Sequence, residues 1–548
     1  MPSINSIDLH IRTYRSALKS NLEVTINSLT NSYVKMDSIL HPLASDPSRL
    51  DPSAIVYSLL RLPRCIDKSK VVVLGQSPQV FTEASFPNVI SWSKVTTSAR
   101  RRTSFFNPKT GILASFICSV TDVDDTVNLL LAYQLEWNKF HEIVTTTYPR
   151  YSQFKKALTD PSFLKLVKIS PEDWQKIKIA LGRNWRLRLK RMYHYPQNLR
   201  LRLLAGSWID YTKTTQHWWK NIASSVSKDL PLSAQHVYFV SSNFHSLLNI
   251  ITGFALKSQN TLLKIAPQNK LDQNPYLPSQ DYLYYLSKFF SEDKRYQKDW
   301  QKMQKQLGIL TIPSAHYLDI NTQIFPIKSF LKSKFLDSRL KISKPSKIAK
   351  SNALIFNIDY PLGFTAYHIL SEVLENVASV KGVYVLGKAA ILNSEIGDLQ
   401  IPRLVFDEHS QNSYFFKNCF NTFFPYSNSQ GSILTHQKSV TVFGTFLENE
   451  ALLRKYSQNN LTILEMENGP YLSAITEATY DQQTPRNTMV DLNSVPFDIG
   501  IINYTSDTPY SKAKNLGAGS LNLAGVEPVY LGSLAILQRI IELEEGKE

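Results

Sequence analysis

Two strand-like runs near the C-terminus end in carboxylates: Leu461-Thr-Ile-Leu-Glu-Met-Glu467 and Phe497-Asp-Ile-Gly-Ile-Ile-Asn-Tyr-Thr-Ser-Asp507. A third apolar run, Val440-Thr-Val-Phe-Gly-Thr-Phe446, precedes them. Apolar, β-branched runs of this length read as buried strands. In open α/β sheets, ligands bind just beyond the carboxyl ends of strands. Glu465, Glu467 and Asp507 are therefore expected to converge on one cleft. A positioned carboxylic acid protonates a leaving group, and a carboxylate accepts hydroxyls or faces a developing positive charge. Read without further context, a Glu-Met-Glu triplet can equally end a strand, and Ser506-Asp507 can equally be a turn.

Upstream lies Gly387-Lys-Ala-Ala-Ile-Leu-Asn-Ser-Glu-Ile-Gly-Asp398, after the apolar run Val383-Tyr-Val-Leu386. Taken in order, the Gly387 segment, Glu465-Met466-Glu467, Ser506-Asp507 and the tail running to Leu537 resemble the nucleoside phosphorylase/nucleosidase superfamily. The tail is most similar to the AMP nucleosidase branch. The resemblance covers roughly residues 350–548. It implies a three-layer α/β/α domain, a purine nucleoside or nucleotide substrate, no cofactor or metal, and assembly as a homo-oligomer. It gives Asp507 the role of acid to the departing purine and Glu467 that of acceptor for the ribose hydroxyls. Met466 would pack on the ribose, and Glu465, Ser506 and Gly387 would line the site. Phe446 is the expected base-stacking ring. The segment Gly387-Lys388-Ala389-Ala390 departs from the family by lacking the hydroxyl and glycine pair that hold inorganic phosphate. Phosphorolysis is thereby in doubt, and hydrolysis is expected. Lys388 is either a point charge for a nucleotide phosphate or a surface lysine. Lys512 and Lys514 either meet a 5′-phosphate or sit in a solvated loop. Asp359, after the expected first strand Ala353–Ile358, is a candidate base for water. His409, in Asp407-Glu-His-Ser-Gln-Asn412, belongs either to a site rim or to a turn.

The rest of the chain sets the context for that domain. Length implies two or three domains. The chain carries a net charge of +16, unevenly spread. Residues 351–548 hold 12 Lys/Arg against 21 Asp/Glu, and residues 1–350 hold 49 against 24. The basic half therefore either meets an anionic partner, such as nucleic acid, or docks on its own acidic half. An alternative function follows, a nucleotide sensor whose basic half binds nucleic acid or an acidic protein; phosphate-dependent phosphorylase activity is another. No apolar run is long enough for a transmembrane helix. Cys65, Cys118 and Cys419 are far apart, which fits a reducing, cytoplasmic setting. The division expected is a basic, mainly helical α/β region over 1–340, with an internal boundary near 150–230. A linker over 341–350 and the nucleosidase-like domain over 351–548 follow it.

Several N-terminal features have open readings. Lys70–Gly75 and His236–Val240 read as strands. Arg100-Arg-Arg102 is a solvated loop or a phosphate contact. Asp122-Val-Asp-Asp125 caps a helix or, with His141, binds a metal. The stretch Gly182–Leu203 interleaves basic and aromatic residues, so it is a nucleic-acid face or a docking face with Leu187, Leu189, Leu201 and Leu203 buried. Ser241–Ser246 caps a helix or holds an anion, and His245 is a core or a site histidine.

Overall fold

The computed structural model describes residues 4–97, 99, 102–226, 231–265, 279–288, 294–314, 317–422, 424–427, 431–480, 484–508 and 525–546. It is a mixed α/β structure of two compact units. The first comprises Met1–Thr215, His316–Asp319 and Phe443–Tyr456; the second comprises Gln216–Ala315, Ile320–Val442 and Ser457–Glu548. No helix among the described residues is long and apolar enough to cross a membrane.

The first unit is built on a six-stranded sheet. Its strands are β1 (Val24–Thr25), β2 (Val71–Gly75), β3 (Ser93–Val95), β4 (Ser104–Asn107), β5 (Ile112–Phe116) and β6 (Arg200–Leu203), in the order β1-β6-β2-β5-β4-β3. The expected Val-Val-Val-Leu strand is β2, central, parallel to β5 and β6, and buried throughout. Such a continuous apolar run is what a strand covered on both faces requires. Helix α1 (Val120–Thr147) begins earlier than its apolar periodicity suggests. Its acidic start is consumed internally. Asp122 and Asp125 pair with Arg102, and Asp124 pairs with Arg15. Arg102 is thus an internal ion-pair partner, while Arg100 and Arg101 lie outside the described residues.

The basic 182–203 stretch also turns partly inward. Arg188 is 5 % exposed, and its Nε lies 3.5 Å from Asp67. Leu189, Leu201 and Leu203 are buried, but Leu187 is exposed. Leu187 is two residues before Leu189, and on a helix that spacing points to different faces.

The second unit carries an 11-stranded sheet. Its strands are β7 (His236–Ser242), β8 (Leu310–Ile312), β9 (Thr322–Pro326), β10 (Leu354–Asp359), β11 (Ser379–Ile391), β12 (Leu399–Asp407), β13 (Ser413–Phe415), β14 (Ile433–Thr441), β15 (Ile463–Glu465), β16 (Met489–Asp491) and β17 (Asp498–Asp507). Strand β7 lies between β11 and β10 and is parallel to both. The sequence places β7 in a separate N-terminal region, but its ladder partners lie more than a hundred residues downstream. The division at 341–350 likewise differs from the structure. Residues 345–350 are helical, and Ile348 is fully buried. The Ser343 hydroxyl and the Lys344 N–H each donate to Glu545 at 2.6 Å. The expected linker is therefore pinned to the C-terminal end.

Helices α2 (Ser246–Thr252), α3 (Thr365–Asn376), α4 (Asn468–Tyr480) and α5 (Val526–Glu544) flank this sheet. Side chains alternate across a strand. Along β7, Tyr238 and Val240 share one core with Tyr530 and Leu534 of α5, while Phe239 meets Tyr471 of α4 edge-on at 5.7 Å. Gly532 of α5 is required by close approach: a Cβ there would sit 2.6 Å from Leu386 Cδ1. Asn243 caps α2, its side-chain oxygen accepting from the N–H groups of His245 and Ser246. Burial pushes the His245 ring down to about 4, which makes it a neutral core histidine at neutral pH.

Candidate active site

Strands β10, β7, β11 and β17 run parallel to one another. Their carboxyl ends therefore share one edge of the sheet. Beyond that edge the strands close on themselves. Strand β17 pairs with β11 and β12, β12 with β14, β14 with β15, and β15 returns to β11. Closure requires β11 to be long, and it runs for 13 residues through Gly387 to Ile391. Gly387 is thus within a strand, not at the expected turn, because the backbone beyond Leu386 keeps ladder partners on both sides. Ala390 is the register partner of both Leu464 in β15 and Asp507 in β17. At roughly 4.8 Å per strand spacing, Asp507 and the start of Glu465-Met466-Glu467 flank one point of β11, on the order of 10 Å apart.

Each carboxylate has a distinct local role. Glu465 is 3 % exposed. One of its oxygens accepts from Thr441 Oγ1 at 2.5 Å and Ser439 Oγ at 3.2 Å. The other accepts the backbone N–H groups of Glu467 and Asn468, both at 2.7 Å. Thr441 Oγ1 in turn accepts the Gly469 N–H at 2.8 Å. The free N–H groups at the start of α4 are thereby satisfied by side chains from two strand ends. Glu465 fixes the helix, and burial pushes its carboxyl up to about 8. The structure places this expected substrate contact under α4, with its oxygens occupied.

Glu467 is only half-buried, as is Met466. A Glu467 carboxylate oxygen accepts the Gly363 N–H at 3.0 Å. That bond ties the start of α4 to the loop after β10, whose Gly363 has φ +52°. Asp359 at the end of β10 is half-buried and accepts the Tyr360 N–H at 3.0 Å. Asp507 is half-buried and accepts the Ser506 hydroxyl at 2.7 Å. Ser506 therefore orients this carboxylate. His409 is half-buried, its ring 5.6 Å from Phe364. It follows an Asx-type turn in which Asp407 accepts the N–H groups of His409 and Ser410. Lys388 is exposed.

Phe446 does not lie at the site expected of a base-stacking ring. It belongs to the first unit and is 3 % exposed, its ring edge-on to Tyr57 at 5.2 Å and tilted against Tyr33 at 6.3 Å. Strand β14 ends at Thr441, and the chain then leaves the sheet to fill that core. Lys512 and Lys514 lie outside the described residues.

Sequence reasoning missed Asn503 and Asn468. Asn503 of β17 is 1 % exposed, and its side-chain oxygen accepts from the Asn468 amide at 3.1 Å. Its own Nδ2 is buried without a hydrogen-bond partner and lies 3.4 Å from where a Cβ would stand on Gly387. The signal was present: one amide within an otherwise apolar Ile-Ile-Asn-Tyr run.

The family model described as "Family of unknown function (DUF6909)" matches residues 26–542, so the chain belongs to that family. No curated protein matches it. Among solved structures, uridine phosphorylase from Schistosoma mansoni is similar at 12 % identity and TM-score 0.30, covering 59 % of this chain and 92 % of that one. Purine nucleoside phosphorylase from Toxoplasma gondii is similar at 10 % identity and TM-score 0.29, covering 57 % and 93 %. The S-adenosylhomocysteine nucleosidase from Streptococcus pyogenes is similar at 9 % identity and TM-score 0.29, covering 57 % and 97 %. Likenesses of this size do not assign a function.

Proposed function

We propose that the second unit cleaves the N-glycosidic bond of a purine nucleotide or nucleoside, hydrolysing AMP-like substrates to free base and ribose 5-phosphate. The observation that carries this reading is the shared register of Ala390. It sets Asp507 and the Glu465–Glu467 segment to either side of β11, and the sequence resemblance gives Asp507 the role of acid and Glu467 that of ribose-binding carboxylate.

Breaking this bond leaves oxocarbenium character on the ribose and negative charge on the purine. Asp507, oriented by Ser506, donates a proton towards N7 of the departing base. General acid catalysis of this kind contributes about 10²–10⁴-fold. Glu467 accepts the ribose hydroxyls and faces the developing positive charge. The Gly363 N–H helps to orient it. Asp359 stands on the same sheet edge as the base that orients water. The hydroxyl-free Gly387–Ala390 segment supports water over phosphate as the nucleophile.

The test is incubation of the full chain with AMP, adenosine, inosine and guanosine, with and without phosphate, following free base by chromatography. Base release from AMP without phosphate is expected. Release only with phosphate would make the protein a phosphorylase, and no release from any substrate would remove the proposal.

A further inference from the structure

The first unit contains a cavity of about 370 Å³ that the proposed reaction does not use. Its volume falls in the roughly 300–1,000 Å³ range of small-molecule sites. Leu59, Leu62 and Ala180 give it apolar lining, and Arg64, Lys94 and Thr96 give it polar lining. Its lining thus holds two cations and no acid. Among the described residues, neither Arg64 nor Lys94 forms an ion pair. The nearby carboxylate of Asp67 is already engaged by Arg188 and Arg191.

Both cations are exposed at the rim of the cavity. Helix 52–61 stops before Pro63, and Arg64 opens a short 3₁₀ turn. Its guanidinium lies against Gly182, where a Cβ would be 2.7 Å from Nη2 and 2.8 Å from Cζ. Gly182 also has φ +80°, so glycine is required there twice over. Lys94 comes from β3, the edge strand of the sheet, with Thr96 just beyond it. An edge lysine alone is a common guard against strand pairing. A second unpaired cation seated on a glycine, across a cavity with apolar lining, is not explained that way.

We infer that this cavity binds a small organic phosphate monoester. Two positive charges and a hydroxyl donor match a dianionic phosphate better than a monoanionic carboxylate. Guanidinium forks suit phosphate oxygens, and the ammonium adds a point charge. The apolar lining takes the organic part of the ligand.

The experiment titrates the full chain with phenyl phosphate, and with benzoate as the carboxylate control. Arg64→Gln/Lys94→Gln is compared, its fold checked by circular dichroism and thermal midpoint; both residues are exposed. Phenyl phosphate should bind more tightly than benzoate, and the double variant should weaken its binding by about tenfold or more. Equal binding of benzoate and phenyl phosphate would overturn the phosphate assignment. Undiminished binding in the variant or absence of binding would overturn the site. None of these outcomes depends on whether the second unit is a nucleosidase.

Discussion

Glu465 and Glu467 are two residues apart yet do different work, and the difference follows from burial. Glu465 is enclosed and spends its oxygens on hydroxyls and helix N–H groups, whereas Glu467 stays half-buried and accepts the Gly363 N–H. Glu467→Gln keeps an oxygen for the Gly363 N–H but turns a donor towards the ribose hydroxyls. The kcat/KM for AMP should fall by about 10–100-fold with an unchanged circular dichroism spectrum. Unchanged kcat/KM would remove Glu467 from the substrate. The triplet was legible from its spacing, but the enclosure of Glu465 under α4 was not. That depends on Thr441, a residue from a neighbouring strand.

The N-terminus of α4 depends on a neutral or well-compensated Glu465. Its folded carboxyl is raised to about 8, above its unfolded value of about 4.5. The stability it contributes is therefore fully present below about 4.5 and is lost as pH rises through about 8. Glu465→Gln stays neutral throughout. The stability of the wild type relative to this variant should fall between pH 4.5 and 8 in urea titrations. A pH-independent difference would show that Glu465 is ionised in the fold across this window. The strands were mostly legible: β10, β12 and β17 lie where their apolar runs end in polar residues. Strand β11 was read short because Gly387 and Lys388 look like a turn. Only its nonlocal partners, β15 and β17, keep it extended.

On the scale of the molecule, the charge asymmetry between halves was visible, but the division into units was not. Strand β7 joins a sheet whose other central strands lie after residue 350, and 443–456 joins the first unit. Pairings of that sequence separation leave no local signature. The first unit also buries His10, fully enclosed and bonded to Ser32 and Asn128. Burial pushes its ring from 6.5 down to about 4. The stability it contributes is present above about 6.5 and is lost as pH falls towards about 4, by up to about 3 kcal/mol. Relative to His10→Gln, the wild type should therefore lose stability on acidification over that window, read by denaturant midpoints at matched pH. A constant difference would mean that His10 titrates normally. In the proposed reaction Asp507 is the acid that drives cleavage in the second unit. That role is measured by following free adenine from AMP in phosphate-free buffer for the wild type and Asp507→Asn side by side. The wild type should release adenine, and the variant should stay folded with a rate lower by about 100-fold or more; equal release by the two proteins would remove Asp507 from the reaction.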